Sequence, residues 1–127
     1  VDTTDTVDAA RDAAVALARY TGGAVVVSGE VDLVTDGATV AKSHGGSPLM
    51  SKITGCGCSQ GGVLAVYACV TDPFTAAVCG TAVYNVAGTR AAAVADAPAS
   101  FKVAFIDELY RATAQDIADN QLELEEA

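Results

Sequence analysis

The sequence predicts an α/β fold in which helices lie against a buried sheet, on three observations. An amphipathic helical pattern, a glycine pair and a β-branched run follow one another at the start of the chain. Ala and Val dominate a hydrophobic share of 51%, with no Trp, so the core is built from small side chains packed closely. The apolar runs after residue 57 have helical rather than alternating character.

The elements follow in order. Asp5 to Tyr20 carries apolar residues at Val7, Ala10, Ala14, Leu17 and Ala18, with acidic residues early and Arg19 late, the polarity a helix dipole favours. Gly22 and Gly23 end that helix. Ala24 to Val27 reads as a strand buried on both faces. Ser28-Gly29-Glu30 breaks it. Val31 to Thr35 and Thr39 to Lys42 then flank Asp36-Gly37, the signal of a hairpin with a two-residue turn.

Residues 44–48 read as an irregular loop. From Gly57 the run "GCSQGGVLAVYACV" is apolar on nearly all sides, which predicts a buried helix, with Gly61 and Gly62 as points of close packing. Asp72-Pro73 supplies an N-cap and a first-turn proline for a helix running to about Val94, where Gly80 and Gly88 let another chain segment approach. Pro98 to Ala112 predicts a further helix, apolar at Phe101, Ala104, Phe105 and Leu109. The end reads as a helical stub and a solvated acidic tail without a partner.

Charge and length narrow the function classes. The 127 residues suffice for one modest domain. Seven Lys and Arg stand against sixteen Asp and Glu, a net charge of −9, which disfavours a nucleic-acid or anionic-membrane partner. No run approaches the about 18 apolar residues of a membrane span. The acidic start is no signal peptide, so a reducing cytoplasm is the expected setting. The chain begins on Val within what reads as a turn, which suggests a piece of a longer polypeptide.

The chemistry concentrates in Ser51 to Val63, "SKITGCGCSQGGV". Gly55 and Gly57 allow the backbone to curve into a helix start, which reads either as plain close packing or as an anion hole over 55–58 made by unpaired N–H groups and the dipole. The Gly-Lys-Ser/Thr ending of a Walker A loop is missing. A metal or redox role for Cys56 and Cys58 is the weaker reading, since His44 is the sole histidine and Cys69 and Cys79 fall in apolar runs as small hydrophobes. In the first helical turn, Cys58 is placed either to take a proton from a substrate hydroxyl or to serve as a structural thiol. His44 reads as a solvent-exposed or backbone-bonded loop histidine.

Three stretches, "VVVSGEVDLVTDG", "GGSPLMSKITGCGC" and "SFKVAFIDELY", resemble in that order the C-terminal half of the hydroxyethylthiazole kinase family, from Val1 to about Asp119. The most specific part is Gly-X-Gly-Cys at 55–58, because most relatives in the wider ribokinase-like superfamily carry Asp where this family carries Cys. The resemblance implies a three-layer α/β/α sandwich, of which residues 1–127 form the C-terminal part of a single domain. It implies transfer of the ATP γ-phosphoryl group to the primary alcohol of 4-methyl-5-(2-hydroxyethyl)thiazole, with Mg²⁺, in thiamine salvage by a homotrimer.

Position by position, Cys58 then matches the catalytic base and Gly55 a contact to the thiazole. The backbone of Gly55, Cys56, Gly57 and Cys58 matches the anion hole, and Ser28 an ATP-binding hydroxyl. Asp32 is a conformational residue of the Ser28 turn, Glu30 has no role, and no metal ligand is assigned in this chain. Gly45-Gly46-Ser47 departs from the family's Asn-Gly-His, and Cys56 from its Thr or Ser. The family's N-terminal half, with the thiazole pocket and the acidic Mg²⁺ residues, has no counterpart in the sequence, so activity is expected only beside a second chain or cleaved piece that supplies it. Two alternatives are a ribokinase-like kinase of another small heterocyclic alcohol and a non-catalytic nucleotide-binding or oligomerisation fragment.

Overall fold

A computed structural model describes residues 7–127. Its elements are α1 (Val7–Thr21), β1 (Val25–Val27), β2 (Asp32–Thr35), β3 (Thr39–Ser43), a 3₁₀ helix (Pro48–Lys52), α2 (Cys56–Ala68), α3 (Pro73–Ala92), α4 (Pro98–Arg111), α5 (Ala114–Asp119) and β4 (Leu122–Glu126). The four strands form one antiparallel sheet in the order β1-β2-β3-β4. The predicted start of the first helix at Asp5 lies outside the described residues.

Strand alternation divides the apolar residues between two helices, which makes three layers. Val27, Leu33 and Val40 meet Ala14 and Val15 of α1 on one face. Val26, Val34 and Ala41 meet Ala77, Phe74 and Val78 of α3 on the other. Side chains one apart on a strand point to opposite faces, so consecutive valines serve both layers. The α/β/α arrangement implied by the resemblance is therefore present, and the central strands β2 and β3 are covered on both faces although the sheet is antiparallel, while β4 is exposed throughout. Leu17, expected on the apolar stripe of α1, is instead 48% exposed.

A third cluster forms on the side of α3 away from the sheet. Val83, Tyr84, Ala87 and Ala91 pack there against Phe101 and Phe105 of α4. Tyr84 meets Phe105 edge-on at 5.2 Å, and the two phenylalanines stack at 5.9 Å. Asp72 caps α3 through its carboxylate, which accepts from Thr75 N at 2.9 Å. The close approaches foreseen at Gly80 and Gly88 are real: a Cβ would run into Leu64 Cδ2 at the first and sit 2.5 Å from Met50 Sδ at the second.

Four expectations are corrected. The hairpin turn is three residues long, 36–38, because Asp36 Oδ1 accepts from both Ala38 N and Thr39 N while Thr35 Oγ1 donates to Thr39 O. Helix α2 buries none of its residues, and a Cβ at Gly61 or Gly62 would touch nothing within 4 Å. Cys69 is exposed at the end of α2, while Cys79 is half-buried.

The acidic tail, fourth, is a strand rather than a solvated end. Paired to β3, β4 has Glu125 at 3.2 Å from Arg11 Nε and 3.8 Å from Lys42 Nζ. Opposite charges facing across a strand pair hold an edge that composition alone would leave in water. His44, at the end of β3, donates its backbone N–H to Gln121 O and sets Nε2 3.5 Å from Glu123 Oε1. No helix among the described residues is long and apolar enough to cross a membrane.

Candidate functional site

The site begins where β1 ends. Ser28 follows the strand directly, and the chain turns through Gly29 because Asp32 Oδ1 accepts from the Gly29 N–H at 3.0 Å. Asp32 is 7% exposed and also accepts from Asn85 Nδ2 at 2.9 Å. The conformational role read for Asp32 is thus what its hydrogen bonds perform. Glu30 is exposed.

The opposite wall comes from the segment after β3. Gly46 N donates to Asn85 O and Thr89 Oγ1, which fastens this loop to α3. Ser47 Oγ then accepts from Leu49 N and opens the 3₁₀ helix. Gly55 is the N-cap of α2, with φ 86 and ψ 5, a left-handed conformation that side chains disfavour. Helix α2 starts at Cys56, one residue before the predicted point. Glycine at the cap offers no side-chain acceptor, so the N–H groups of the first turn are not claimed by a capping residue. Cys56, Gly57 and Cys58 are its first three positions. Cys56 is half-buried against the Tyr84 and Phe101 cluster, whereas Cys58 is exposed.

Ser59 fixes the orientation of that turn. Its hydroxyl donates to Cys56 O at 2.9 Å and accepts from the Tyr84 hydroxyl at 2.8 Å. Burial pushes the Tyr84 phenol up, and the Ser59 hydrogen bond offsets part of that rise. Tyr84 therefore remains the donor and anchors the start of α2 to the core.

A cleft of about 510 Å³ lies between the two walls. Ser28 and Val26 line it from β1, Gly55 to Cys58 line it from α2, and Met50, Ile53 and Leu64 supply apolar lining. Every residue singled out in the sequence for ATP, thiazole or proton transfer borders this one cleft. The lining carries no Asp or Glu among the described residues. Among the described residues no group of three His, Cys, Asp or Glu is placed to hold a metal ion.

The shifted carboxylates belong to the scaffold. Backbone hydrogen bonds from Thr39 and Ala38 hold Asp36 below its usual range, and the hydrogen bonds from the Thr75 side chain and backbone do so for Asp72. Asp116 is drawn from 3.8 to about 2, first by hydrogen bonds from Arg90, whose guanidinium grips both carboxylate oxygens at 2.8 and 3.1 Å. That pair ties α5 to α3.

Asn85 escaped the sequence reading. The signal was present, since Thr81, Asn85 and Thr89 recur every four residues along an otherwise apolar helix. A polar stripe on a buried helix marks where that helix meets backbone or a polar network.

The fold agrees with that of a similar protein of known structure. Residues 1–115 match the model of the hydroxyethylthiazole kinase family. A hydroxyethylthiazole kinase of Bifidobacterium longum is 46% identical over 96% of this chain and 43% of its own length. One of Gemmatimonas aurantiaca is 44% identical over 95% of the chain and 44% of its length. The solved hydroxyethylthiazole kinase of Pyrococcus horikoshii OT3 superposes with a TM-score of 0.85 at 28% identity, over 95% of this chain and 47% of that one. The chain thus spans less than half the length of these relatives.

Proposed function

The chain belongs to the hydroxyethylthiazole kinase family, and from that premise we propose that it supplies one wall of a kinase site that phosphorylates the primary alcohol of 4-methyl-5-(2-hydroxyethyl)thiazole at the expense of ATP. The supporting observation is the shared cleft, which joins Ser28 to the turn at 55–58 across 27 positions of sequence.

In this reading the Ser28 hydroxyl hydrogen-bonds ATP and Gly55 lies against the thiazole. The N–H groups of the first turn of α2 face the transferring phosphoryl group, where negative charge is concentrated. The Cys58 sulfur takes the proton of the substrate hydroxyl while that oxygen bonds to the γ-phosphorus. The bond from γ-phosphorus to the bridging oxygen breaks, and ADP leaves with that electron pair. Mg²⁺ takes oxygen ligands and would neutralise phosphate charge, but among the described residues the cleft lining offers no carboxylate to hold it. Its ligands fall to ATP and to a portion of the kinase beyond this chain.

That remaining portion, as a separate chain, a cleaved piece or the rest of one polypeptide, is the proposed partner. Helix α2 supports it: Val66 is 66% exposed, Gly61 and Gly62 face open space, and Val70 just beyond the helix is 85% exposed. A homotrimer in the cytoplasm completes the proposal on the strength of the family resemblance.

The test joins this chain to the non-matching portion of the Bifidobacterium longum relative and measures turnover. Cys58→Ala is expected to lose about a hundredfold or more in turnover, and Cys58→Asp to retain most of it, since either group can accept the proton. Equal rates in all three proteins would remove Cys58 from the role of base.

A further inference from the structure

The two walls of the cleft meet at one buried side chain that lines neither. Asn85, in the middle of α3, is 3% exposed. Its amide has two N–H donors, and both are used: one reaches Asp32 Oδ2 and the other Ser43 Oγ, each at 2.9 Å. Asp32 in turn holds the Gly29 N–H at 3.0 Å, and Gly29 follows Ser28. This is the wall of β1.

The same residue holds the other wall through its backbone. Gly46 N donates to Asn85 O at 3.0 Å. The loop lies so close that a Cβ at Gly45 would sit 3.3 Å from Asn85 Cβ, and one at Gly46 3.1 Å from Asn85 Oδ1. Both glycines have positive φ, 114 and 82. The two-glycine sequence at 45–46 is thus matched to an asparagine beneath it. From Gly46 the chain runs through the 3₁₀ helix to the turn at 55–58.

We infer that Asn85 is a positioning residue that sets the Ser28 turn against the 45–58 wall, and that nucleotide binding depends on it through Asp32. The inference rests on the reading of Ser28 as an ATP contact. The chemistry of the pair makes it specific. A carboxylate can only accept, so the amide must present its N–H groups to Asp32, and no apolar residue of similar volume can do so. An Asn85→Asp substitution keeps the shape but opposes two acceptors at hydrogen-bond distance. Combining it with Asp32→Asn restores one donor facing one acceptor, leaves an oxygen at position 32 for the Gly29 N–H, and lets the Ser43 hydroxyl donate to the new carboxylate.

The experiment uses this chain joined to the non-matching portion of the Bifidobacterium longum relative. Hydrogen exchange at the Gly29 amide and calorimetric titration with ATP and Mg²⁺ are measured on four proteins: the unsubstituted one, both singles and the double. Asn85→Asp is expected to speed Gly29 exchange and weaken ATP binding, each by about tenfold or more, and the double to return both to within about threefold of the parent. A double that melts like the parent yet still binds ATP tenfold more weakly would overturn the inference, as would unchanged binding in Asn85→Asp. If Asn85→Asp does not fold, the double decides alone by the same two readouts. A parent protein that binds no ATP sinks the kinase reading, while Gly29 exchange across the four proteins still decides whether Asn85 positions the turn.

Discussion

Helices α2 and α3 are built from much the same residues and meet opposite fates. Both are apolar nearly throughout, and both carry two glycines in their interiors. Eleven residues of α3 are buried, and none of α2. In α3 the glycines are filled by neighbours, Gly80 by Leu64 and Gly88 by Met50, while Gly61 and Gly62 of α2 face open space. The difference teaches that an apolar helix states a demand to be covered without saying by what. Helix α3 lies between the sheet and α4, so its cover is internal. Helix α2 leaves its outer side, beginning at the cleft, uncovered among the described residues.

The largest expected effect falls where α3 is most enclosed. Tyr84 is 1% exposed, packs on Phe105 and anchors Ser59. Tyr84→Ala should cost about 3–5 kcal/mol, read by urea denaturation of the chain. A loss below about 1 kcal/mol would mean that α3 is no more central than α2.

The glycines sharpen the contrast further, because the same substitution should act with opposite sign. Gly88→Ala drives a methyl towards Met50 and to 3.0 Å from the Gly46 backbone, which should destabilise by about 1–3 kcal/mol. Gly62→Ala meets nothing in this chain and should stabilise the helix by about 0.5–1 kcal/mol. Thermal melts of the two variants side by side decide it. Joined to the rest of the kinase, Gly62→Ala should lose that benefit if another helix sits against α2.

The smallest effect concerns the far end of α3, where the Arg90–Asp116 pair secures α5. The Asp116 carboxyl is depressed from 3.8 to about 2, so the folded state holds its proton less tightly than the unfolded chain does. Its contribution is complete above about pH 4 and is lost as the pH falls through about 2. Amide protection along α5, corrected for the intrinsic exchange rate, should fall between those values by more in the parent than in Arg90→Gln, where the Thr113 capping bonds to Asp116 remain. Equal pH dependence in both proteins would detach α5 from the pair.

Much of the fold was legible because its rules are local. The Asp72-Pro73 cap, the glycine end of α1 and the helix start at Gly55 each depend on groups within one turn of chain. The hairpin was placed correctly and its turn misread, since the Asp36 and Thr35 side chains lengthen it to three residues. The turn at 55–58 was legible because a cysteine at a glycine-capped helix start is a pattern carried by adjacent positions, and Ser28 proves to line the same cleft.

What the sequence determined by itself, then, is the main helices, the first three strands and the residues with chemistry to offer. What only the tertiary structure decided is which of them meet. Strand β4 pairs with β3 across some eighty residues, and Asn85 reaches Asp32 across 53. Neither partner leaves a mark on the other's local sequence. Hydrophobic attraction has no direction, so periodicity predicts that α2 and α3 will both be covered and is silent on the neighbour. Hydrogen bonds do have direction, but theirs is fixed only once the sheet and α3 are in place. That is why Ser28 and the turn at 55–58 could be picked out one by one, and the amide that joins their walls could not.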